Sequence, residues 1–254
     1  MSYLELKNVS KHFGRLTALD DVSLQVEKGE ILGIVGPNGS GKTTLINVIS
    51  GYYSPTQGTI AFEGKKISGL RPDKIAKRGI VRTFQSNVLY AGTTVVESMM
   101  ISSYLQYKTN NWQSFLNTKA WKKDDERAIG RVVELLKMLD LQNDMNLPAD
   151  GLSHGYQRLL GIAMSLIANP SVLLLDEPTT GMSHKEAMFV VDKIKKISEQ
   201  GITVILIEHN MKVLMGVATR VICLSFGNKI ADGLPEEVMN KQEVVEAYLG
   251  TEIL

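Results

Sequence analysis

The sequence has almost no cysteine and no long uninterrupted apolar run. A single cysteine, Cys223, in 254 residues excludes an internal disulfide framework and is typical of a reducing compartment. It lies in the apolar run Val221–Leu224, which favours a buried small hydrophobic side chain over a reactive thiol. The longest apolar stretch, Leu159–Ala168, has about ten residues, whereas a helix needs about twenty to span a bilayer. The first residues also lack the apolar segment of a signal peptide. We therefore expect any membrane to act on this chain through a partner protein.

An excess of charge of either sign is also missing. The chain has 28 Lys and Arg residues against 27 Asp and Glu residues, which gives a formal net charge of +1. Proteins that bind nucleic acid release counterions through a surplus of basic residues. The balance therefore argues against nucleic acid as the main partner. Hydrophobic residues make up 44% of the chain, which is ordinary for a globular protein with a core.

Short apolar runs alternate with amphipathic stretches along most of the chain. The runs Ile31–Val35, Val172–Leu175 and Thr203–Ile207 are typical of parallel strands that are buried on both faces. The further predicted strands are Tyr3–Val9, Val22–Val26, Thr59–Lys65, Gly79–Phe84 and Val221–Ser225. The predicted helices are Thr44–Ile49, Tyr156–Ala168, Ser183–Gln200 and Asn210–Thr219. This order predicts an α/β fold with a largely parallel sheet, right-handed crossovers and an antiparallel N-terminal β part.

The composition changes between about residues 86 and 151, where polar residues and methionine become more frequent. Apolar residues recur there at helical spacing, at Ile129, Val132, Val133, Leu135, Leu136 and Leu139. We predict one domain, 1–254, whose α/β core (1–85 and 152–254) holds a mostly helical insertion (86–151) with a loop-rich stretch at 107–125. The methionine-rich stretch Val95–Ile101 is either core or part of a flexible docking surface for a partner helix.

A glycine-rich loop follows the apolar strand Ile31–Val35 and precedes a predicted helix. Residues 36–43 read G-P-N-G-S-G-K-T, which matches the phosphate-loop pattern G-x-x-x-x-G-K-[ST]. Glycines let consecutive backbone N–H groups surround a β-phosphate, and the helix adds its positive N-terminus. We expect Lys42 to reach the β- and γ-phosphates and the Thr43 hydroxyl to bind Mg²⁺. The predicted ATP contacts are Gly36, Pro37, Asn38, Gly39, Ser40, Gly41, Lys42, Thr43 and Thr44.

Two carboxylates follow the apolar strand Val172–Leu175. Ligands of open α/β sheets bind at the carboxyl ends of the strands, which is where Asp176 and Glu177 stand. Asp176 suits the Mg²⁺ shell, and Glu177 is placed to polarise the attacking water. The alternative is an acidic cluster at the start of a helix. The phosphate loop favours the catalytic interpretation.

Residues 152–157, L-S-H-G-Y-Q, complete a resemblance to the ABC ATPases that covers essentially the whole chain. The resemblance implies a P-loop NTPase-type core and a dimer that holds two ATP molecules. In that family the L-S-G-G-Q segment presents Ser and Gly to the γ-phosphate of the opposite subunit, here Ser153 and Gly155. His154 and Tyr156 depart from the family pattern. Ser153 would also be a good helix N-cap, ahead of an apolar face formed by Leu159, Leu160, Ala163, Leu166 and Ile167.

Three further residues match positions of the ABC family. Gln85 resembles the glutamine that touches Mg²⁺ or water and signals to the membrane subunit. His209, after the strand Thr203–Ile207, resembles the histidine that contacts the γ-phosphate. Phe13 resembles the aromatic residue that stacks on adenine, with a core position as its alternative.

The loop after Asp176-Glu177-Pro178 departs from the family, because residues 180–183 read T-G-M-S where S-A-L-D is usual. Ser183 and Glu186 fit a capping box that closes the start of the next helix. We predict that capping is the main role of Ser183.

The tail from Glu208 to Gly250 resembles the ABC subfamily that serves branched-chain (hydrophobic) amino acid importers. The resemblance implies a homodimer, or a heterodimer with a related ATPase subunit, bound to membrane permease subunits at the cytoplasmic face of the membrane. A solute-binding protein would act indirectly. Two alternatives stay open: the ATPase of a urea or lipopolysaccharide transporter, and a soluble ABC ATPase outside transport. A second cassette, a coiled-coil insertion or a basic linker would favour the last class, and the sequence contains none of them.

Overall fold

Two β-sheets of different kinds form the framework of the protein. The computed structural model describes residues 2–83, 90, 92–107, 109, 111–116 and 118–249. The first sheet is antiparallel and has the order β2-β1-β4-β5. Its strands are β1 (Leu4–Phe13), β2 (Leu16–Val26), β4 (Gln57–Phe62) and β5 (Lys65–Lys66).

The second sheet has six strands in the order β10-β9-β3-β8-β7-β6. They are β3 (Ile31–Val35), β6 (Ile80–Arg82), β7 (Val172–Asp176), β8 (Thr203–Ile207), β9 (Arg220–Ser225) and β10 (Asn228–Gly233). All neighbours are parallel except β9 and β10, which are joined by the tight turn at residues 226–227. The predicted α/β fold with a largely parallel sheet and an antiparallel N-terminal part is thus confirmed.

Helices connect and cover the strands. The α-helices are α1 (Lys42–Ile49), α2 (Pro72–Ala76), α3 (Val95–Ser103), α4 (Asn111–Phe115), α5 (Lys119–Met138), α6 (His154–Leu166), α7 (His184–Glu199), α8 (Met211–Val217), α9 (Pro235–Met239) and α10 (Gln242–Leu249). The prediction that 107–125 is loop-rich is wrong for α4 and from Lys119 onwards, where Thr118 caps α5 by accepting a hydrogen bond from the Trp121 N–H. Among the described helices, none combines the length and the apolarity that crossing a membrane requires.

The core lies on both faces of the six-stranded sheet. Successive residues of a strand point to opposite faces, so Leu173 and Leu175 join one buried cluster, and Val172 and Leu174 join the other. The first cluster is closed by α3, α5, α6, α7 and α8, and the second by α1 and the antiparallel sheet. Cys223 is buried in the first cluster, as predicted. Burial raises the pKa of its thiol to about 11.

The strand register brings three connecting loops to one edge of the sheet. Ile207, the last residue of β8, pairs with Ile34 of β3 on one side and with Asp176 of β7 on the other. The segments that follow β3, β7 and β8 therefore leave the sheet side by side. This edge contains the glycine-rich loop, the two carboxylates and His209.

Candidate nucleotide site

The glycine-rich loop has a backbone that only glycine adopts without strain at its key positions. Gly36 and Gly41 have φ of 143° and 103°, in the region that side chains disfavour. A Cβ at Gly36 would lie 2.1 Å from the Leu224 carbonyl oxygen, and one at Gly41 would lie 2.5 Å from the Ala18 carbonyl oxygen. The loop is thus seated against β9 and β2, and any side chain at these two positions would push it away.

Lys42, the first residue of α1, is buried inside this loop. Its ammonium donates hydrogen bonds of 2.8 Å to the carbonyl oxygens of Gly36 and of Pro37. Burial lowers its pKa, and the negative charge of Glu177 opposes that shift. The Ser40 hydroxyl is also buried and has no hydrogen-bond partner among the described residues. The loop therefore offers a cation and a polar donor to an anionic ligand.

Asp176 ends β7 with a fully buried carboxylate that Arg82 holds. The Arg82 guanidinium donates to Asp176 Oδ2 at 2.8 Å and also to the side-chain oxygen of Asn47 in α1. Burial raises the pKa of Asp176, and the positive charge and hydrogen bond of Arg82 act against that rise. The other oxygen, Oδ1, is buried without a partner among the described residues.

The oxygen atoms of Asp176 and Thr43 fit a magnesium ion. An unsatisfied buried carboxylate oxygen costs about 1–3 kcal/mol or more, and a bound cation would remove that cost. Within the described part of the chain, no three His, Cys, Asp or Glu side chains form a metal cluster. Mg²⁺ usually takes only one or two carboxylates together with phosphate oxygens and water. Asp176 and the exposed Thr43 hydroxyl at the start of α1 supply that kind of partial ligand set.

Glu177 and His209 meet across the ends of β7 and β8. The His209 Nε2 atom lies 2.6 Å from Glu177 Oε1, and the Thr180 hydroxyl donates to Glu177 Oε2 at 3.1 Å. Glu177 has φ of 49°, which is uncommon for a residue with a side chain and stores local strain. Its backbone N–H donates to the Ile207 carbonyl oxygen, which fixes the bend. The side chain is thus held at one angle at the edge of the sheet.

The structure brings four of the predicted residues into one cluster. Lys42 interacts electrostatically with Asp176 and Glu177, and His209 with Asp176. Ser153 and Gly155 lie at the start of α6, where Gly155 packs beside Met182 and Glu186. Gln85 lies outside the described residues.

Ser153 stands at the N-cap position of α6, but its side chain makes no capping hydrogen bond. The prediction that Ser153 caps this helix is wrong in that respect, and its hydroxyl stays exposed. The apolar face of α6 is buried as predicted. Ser183 and Glu186 do form the predicted capping box at the start of α7.

Two of the departures from the family pattern, His154 and the loop 180–183, contact each other. The ring of His154, which replaces a glycine, lies with Nε2 3.2 Å from the Thr180 carbonyl oxygen. Thr180 belongs to the T-G-M-S loop that replaces S-A-L-D. The start of α6 is therefore joined, within one chain, to the loop that follows Glu177.

Phe13 is exposed at the end of β1, so the alternative of a core position is wrong. Its ring packs edge-to-face on Tyr53 with 5.0 Å between centroids, and the Lys11 ammonium lies 4.9 Å from the ring centre. An exposed ring braced in this way can accept a flat ligand on its free side.

Sequence reasoning missed three residues of this region. Arg82 forms a salt bridge with Asp176. The sequence could have indicated it only as a basic residue on the strand that lies beside the strand of Asp176. Glu208 is buried and accepts hydrogen bonds from the Thr179 N–H (3.0 Å) and hydroxyl (2.7 Å), which anchors the loop after Glu177. Burial raises its pKa. Arg158 of α6 interacts electrostatically with Glu177, Asp176 and Glu208, and no motif marked it.

We expect Arg82→Met to lower the free energy of unfolding by about 3 kcal/mol, because Asp176 then keeps a buried charge without its cation. Urea unfolding would measure this. The loss should shrink as the pH falls, since the raised pKa of Asp176 rises further without Arg82 and a neutral carboxyl needs no cation. Adding Asp176→Asn should recover much of the loss. An equal loss in the double variant would show that Arg82 acts through packing alone.

The sheet order and the phosphate loop define the class: a P-loop nucleotide-binding protein. The sequence profile described as ABC transporter matches residues 19–180, and that described as Branched-chain amino acid ATP-binding cassette transporter matches residues 228–253. The chain is 37% identical over 248 residues to the high-affinity branched-chain amino acid transport ATP-binding proteins LivG of Salmonella typhimurium and BraF of Pseudomonas aeruginosa, with 97% of each chain covered. The chain belongs to the ABC transporter family, and its enzymatic activity is ATP hydrolysis.

Solved structures agree with this assignment. The ADP conformation of MJ1267, an ATP-binding cassette of an ABC transporter, superposes with a TM-score of 0.85 at 32% identity, covering 98% of this chain and 99% of that one. The dimeric post-hydrolysis state of the cassette MJ0796 bound to ADP and Pi superposes with a TM-score of 0.75 at 29% identity, covering 91% and 98%.

Proposed function

We propose that this chain is the ATP-hydrolysing subunit of an importer of branched-chain amino acids and works as a dimer around two Mg-ATP molecules. The observation that carries the catalytic part is the cluster of Lys42, Asp176, Glu177 and His209 at one edge of the sheet. A phosphate-binding cation, a metal ligand, a carboxylate base and a histidine are the groups that phosphoryl transfer to water needs.

Each residue of the cluster has a distinct role in this proposal. Lys42 moves from the loop carbonyls to the β- and γ-phosphates, whose charge is a stronger partner. Glu177 orients the attacking water, and its strained, hydrogen-bonded backbone keeps the carboxylate in place. His209, held against Glu177, contacts the γ-phosphate. The loop residues 36–44 surround the phosphates, and Phe13 stacks on adenine.

Mg²⁺ would be held by Thr43, Asp176 and Gln85. When bound, it neutralises charge on the phosphate oxygens. Arg82 lowers the pKa of Asp176 against the effect of burial and occupies Oδ2, which leaves Oδ1 available to the metal. Gln85, as in the family, would touch the metal or water and report the state of the membrane partner.

The dimer is supported by the family resemblance of Ser153 and Gly155 and by the exposure of Ser153 at the start of α6. In our proposal these two residues close the ATP site of the opposite subunit, with the exposed Ser153 hydroxyl and the start of α6 facing the γ-phosphate. The dimeric cassette MJ0796 supports this arrangement by family relationship. ATP between the subunits would favour the closed dimer, and hydrolysis would release it. Both a homodimer and a heterodimer with a related subunit fit.

The partners are membrane permease subunits, with a solute-binding protein acting through them, at the cytoplasmic face of the membrane. We assign docking to the helical insertion 86–151 of a single domain whose α/β core is formed by 1–85 and 152–254. In α3, Val95 and Met99 are buried in the core, and Ile101 is exposed. Met100 is partly buried between them and is available to a partner helix.

The cargo assignment is supported by the match at residues 228–253 and by the names of LivG and BraF. We expect the subunit, in vesicles with its own permease and binding protein, to hydrolyse ATP several-fold faster when leucine, isoleucine or valine is added. The stimulation should require the loaded binding protein, because cargo acts through the partners. ATPase rates with each amino acid, urea and a lipid substrate in the same vesicles measure it.

Lys42→Ala in the same vesicles is the control, since it removes the phosphate-binding cation and should abolish the stimulated rate. Stimulation by urea or lipid alone would contradict the amino-acid assignment and leave the ATPase assignment standing. Stimulation of the isolated subunit by free leucine would contradict the proposed division of roles.

A further inference from the structure

The C-terminal helix α10 reaches the first residue of the phosphate loop. The backbone N–H of Gly36 donates a hydrogen bond of 2.9 Å to the Tyr248 hydroxyl, 212 residues further along the chain. Tyr248 is half-buried and packs against the large core cluster, and Val244, one turn earlier, is fully buried. Both ends of this hydrogen bond are therefore held by packing.

Gly36 is the point where the direction of the loop is set. It follows β3 directly, has φ of 143°, and its Cα lies too close to the Leu224 carbonyl oxygen to bear a side chain. Its own carbonyl accepts from the Lys42 ammonium. One residue thus connects Tyr248 on its N–H side with the phosphate-binding lysine on its C=O side.

The surroundings make this hydrogen bond more than a surface contact. Burial raises the pKa of the Tyr248 hydroxyl, and the Gly36 N–H acts in the opposite direction. Cys223 lies close enough to both Tyr248 and Lys42 to interact with each. A buried N–H that loses its acceptor costs about 1–3 kcal/mol. We therefore expect the backbone at Gly36 to change conformation if Tyr248 moves away.

We propose that Tyr248 is a positioning residue for nucleotide binding, through which the C-terminal helix α10 sets the conformation of Gly36 and hence the affinity for ATP. This inference rests on the proposed ATP site. It gives residues 242–249, inside the segment matched at 228–253, a role at the phosphate loop. Coupling of this kind is reciprocal, so ATP should also tighten the docking of α10.

The test is Tyr248→Phe, which removes one oxygen and keeps the ring in the core. We expect the Kd for ATP to rise about two- to tenfold, as for the loss of one hydrogen bond. KM should rise with it, and kcat at saturating ATP should stay the same. Hydrogen exchange at the Gly36 amide should be faster. Calorimetry, steady-state kinetics and NMR exchange measure these quantities.

Tyr104→Phe is the matched control, because Tyr104 is 60% exposed on the helical insertion and the same oxygen is lost there. It should leave Kd, KM and Gly36 exchange at wild-type values. Val244→Ala loosens the docking of α10, while Tyr248 keeps its hydroxyl. In that variant we expect weaker ATP binding, and ATP should slow exchange in α10.

The proposal would be overturned if Tyr248→Phe had a lower midpoint of unfolding but the same Kd and KM as Tyr104→Phe. That is the result expected of a purely structural role. Unchanged exchange at Gly36 would overturn it as well. Failure of the proposed function gives a different result: Lys42→Ala would then bind ATP as tightly as the wild-type protein. The exchange measurement needs no nucleotide and decides the Tyr248 contact in either case.

Discussion

Glu177→Gln is expected to cut the steady-state rate of ATP hydrolysis by about 10²–10⁴-fold, the usual contribution of a positioned base. ATP affinity should change little, because the loop, Lys42 and Asp176 are untouched. The amide has the shape of the carboxylate and can still accept from Thr180, so the bend at residue 177 should survive. What is lost is the negative charge that polarises the water. The variant should therefore accumulate as an ATP-bound dimer.

Calorimetry, single-turnover hydrolysis and gel filtration with Mg-ATP check this prediction. Glu97→Gln is the matched control, because Glu97 makes the same kind of carboxylate contact in the capping box of α3. It should lose a little stability and keep its turnover. Near-normal hydrolysis by Glu177→Gln would remove Glu177 from the role of base.

The parts of the fold that could be predicted from sequence are those with local signals. The runs Ile31–Val35, Val172–Leu175 and Thr203–Ile207 are apolar at every position except Gly33 and Thr203, and each is a buried central strand. The glycine-rich loop has its signal in eight consecutive residues. The clustering of Lys42 and Glu177 then follows from the rule that ligands bind at the carboxyl ends of parallel strands.

Strand β10 could not be predicted in this way, because it lies at the edge of the sheet and its pattern is polar. Its Asp232 pairs with Arg220 at 2.6 Å and with Lys229 at 2.8 Å. Charged side chains therefore occupy positions where alternating apolar residues would have indicated a strand. The start of α5 was hidden for a similar reason, since Lys119, Lys122 and Lys123 are exposed and show no apolar period.

Residues that act across long sequence separations were missed for a different reason. Arg82 meets Asp176 only because β6 and β7 pair in parallel, with Arg82 opposite Leu174. Tyr248 meets Gly36 only after the C-terminal helix has docked. Neither belongs to a short motif, and the register of the sheet must be known before either contact can be stated.

The role proposed for Ser153 depends on the same kind of information. The sequence assigns it, by resemblance, a role at the γ-phosphate of the opposite subunit, and also the character of a helix N-cap. Its hydroxyl makes no capping bond and is exposed at the start of α6. A long charged side chain at this position should therefore leave the fold intact and block an approaching subunit. Ser153→Arg is thus a suitable defect for testing whether an ATP site is shared between two chains.

Two copies of the chain joined by a flexible linker give that test. With Lys42→Ala in one copy and Ser153→Arg in the other, a shared-site dimer has both defects in one site and a complete second site, so we expect about half the wild-type ATPase rate if the sites work independently. With both substitutions in the same copy, each shared site has one defect, and we expect a rate near zero. If each chain hydrolyses ATP alone, the two results exchange places, because the second arrangement then leaves one copy intact. The ATPase rates of the two linked proteins, which have identical composition, thus decide between a composite site and a site within one chain.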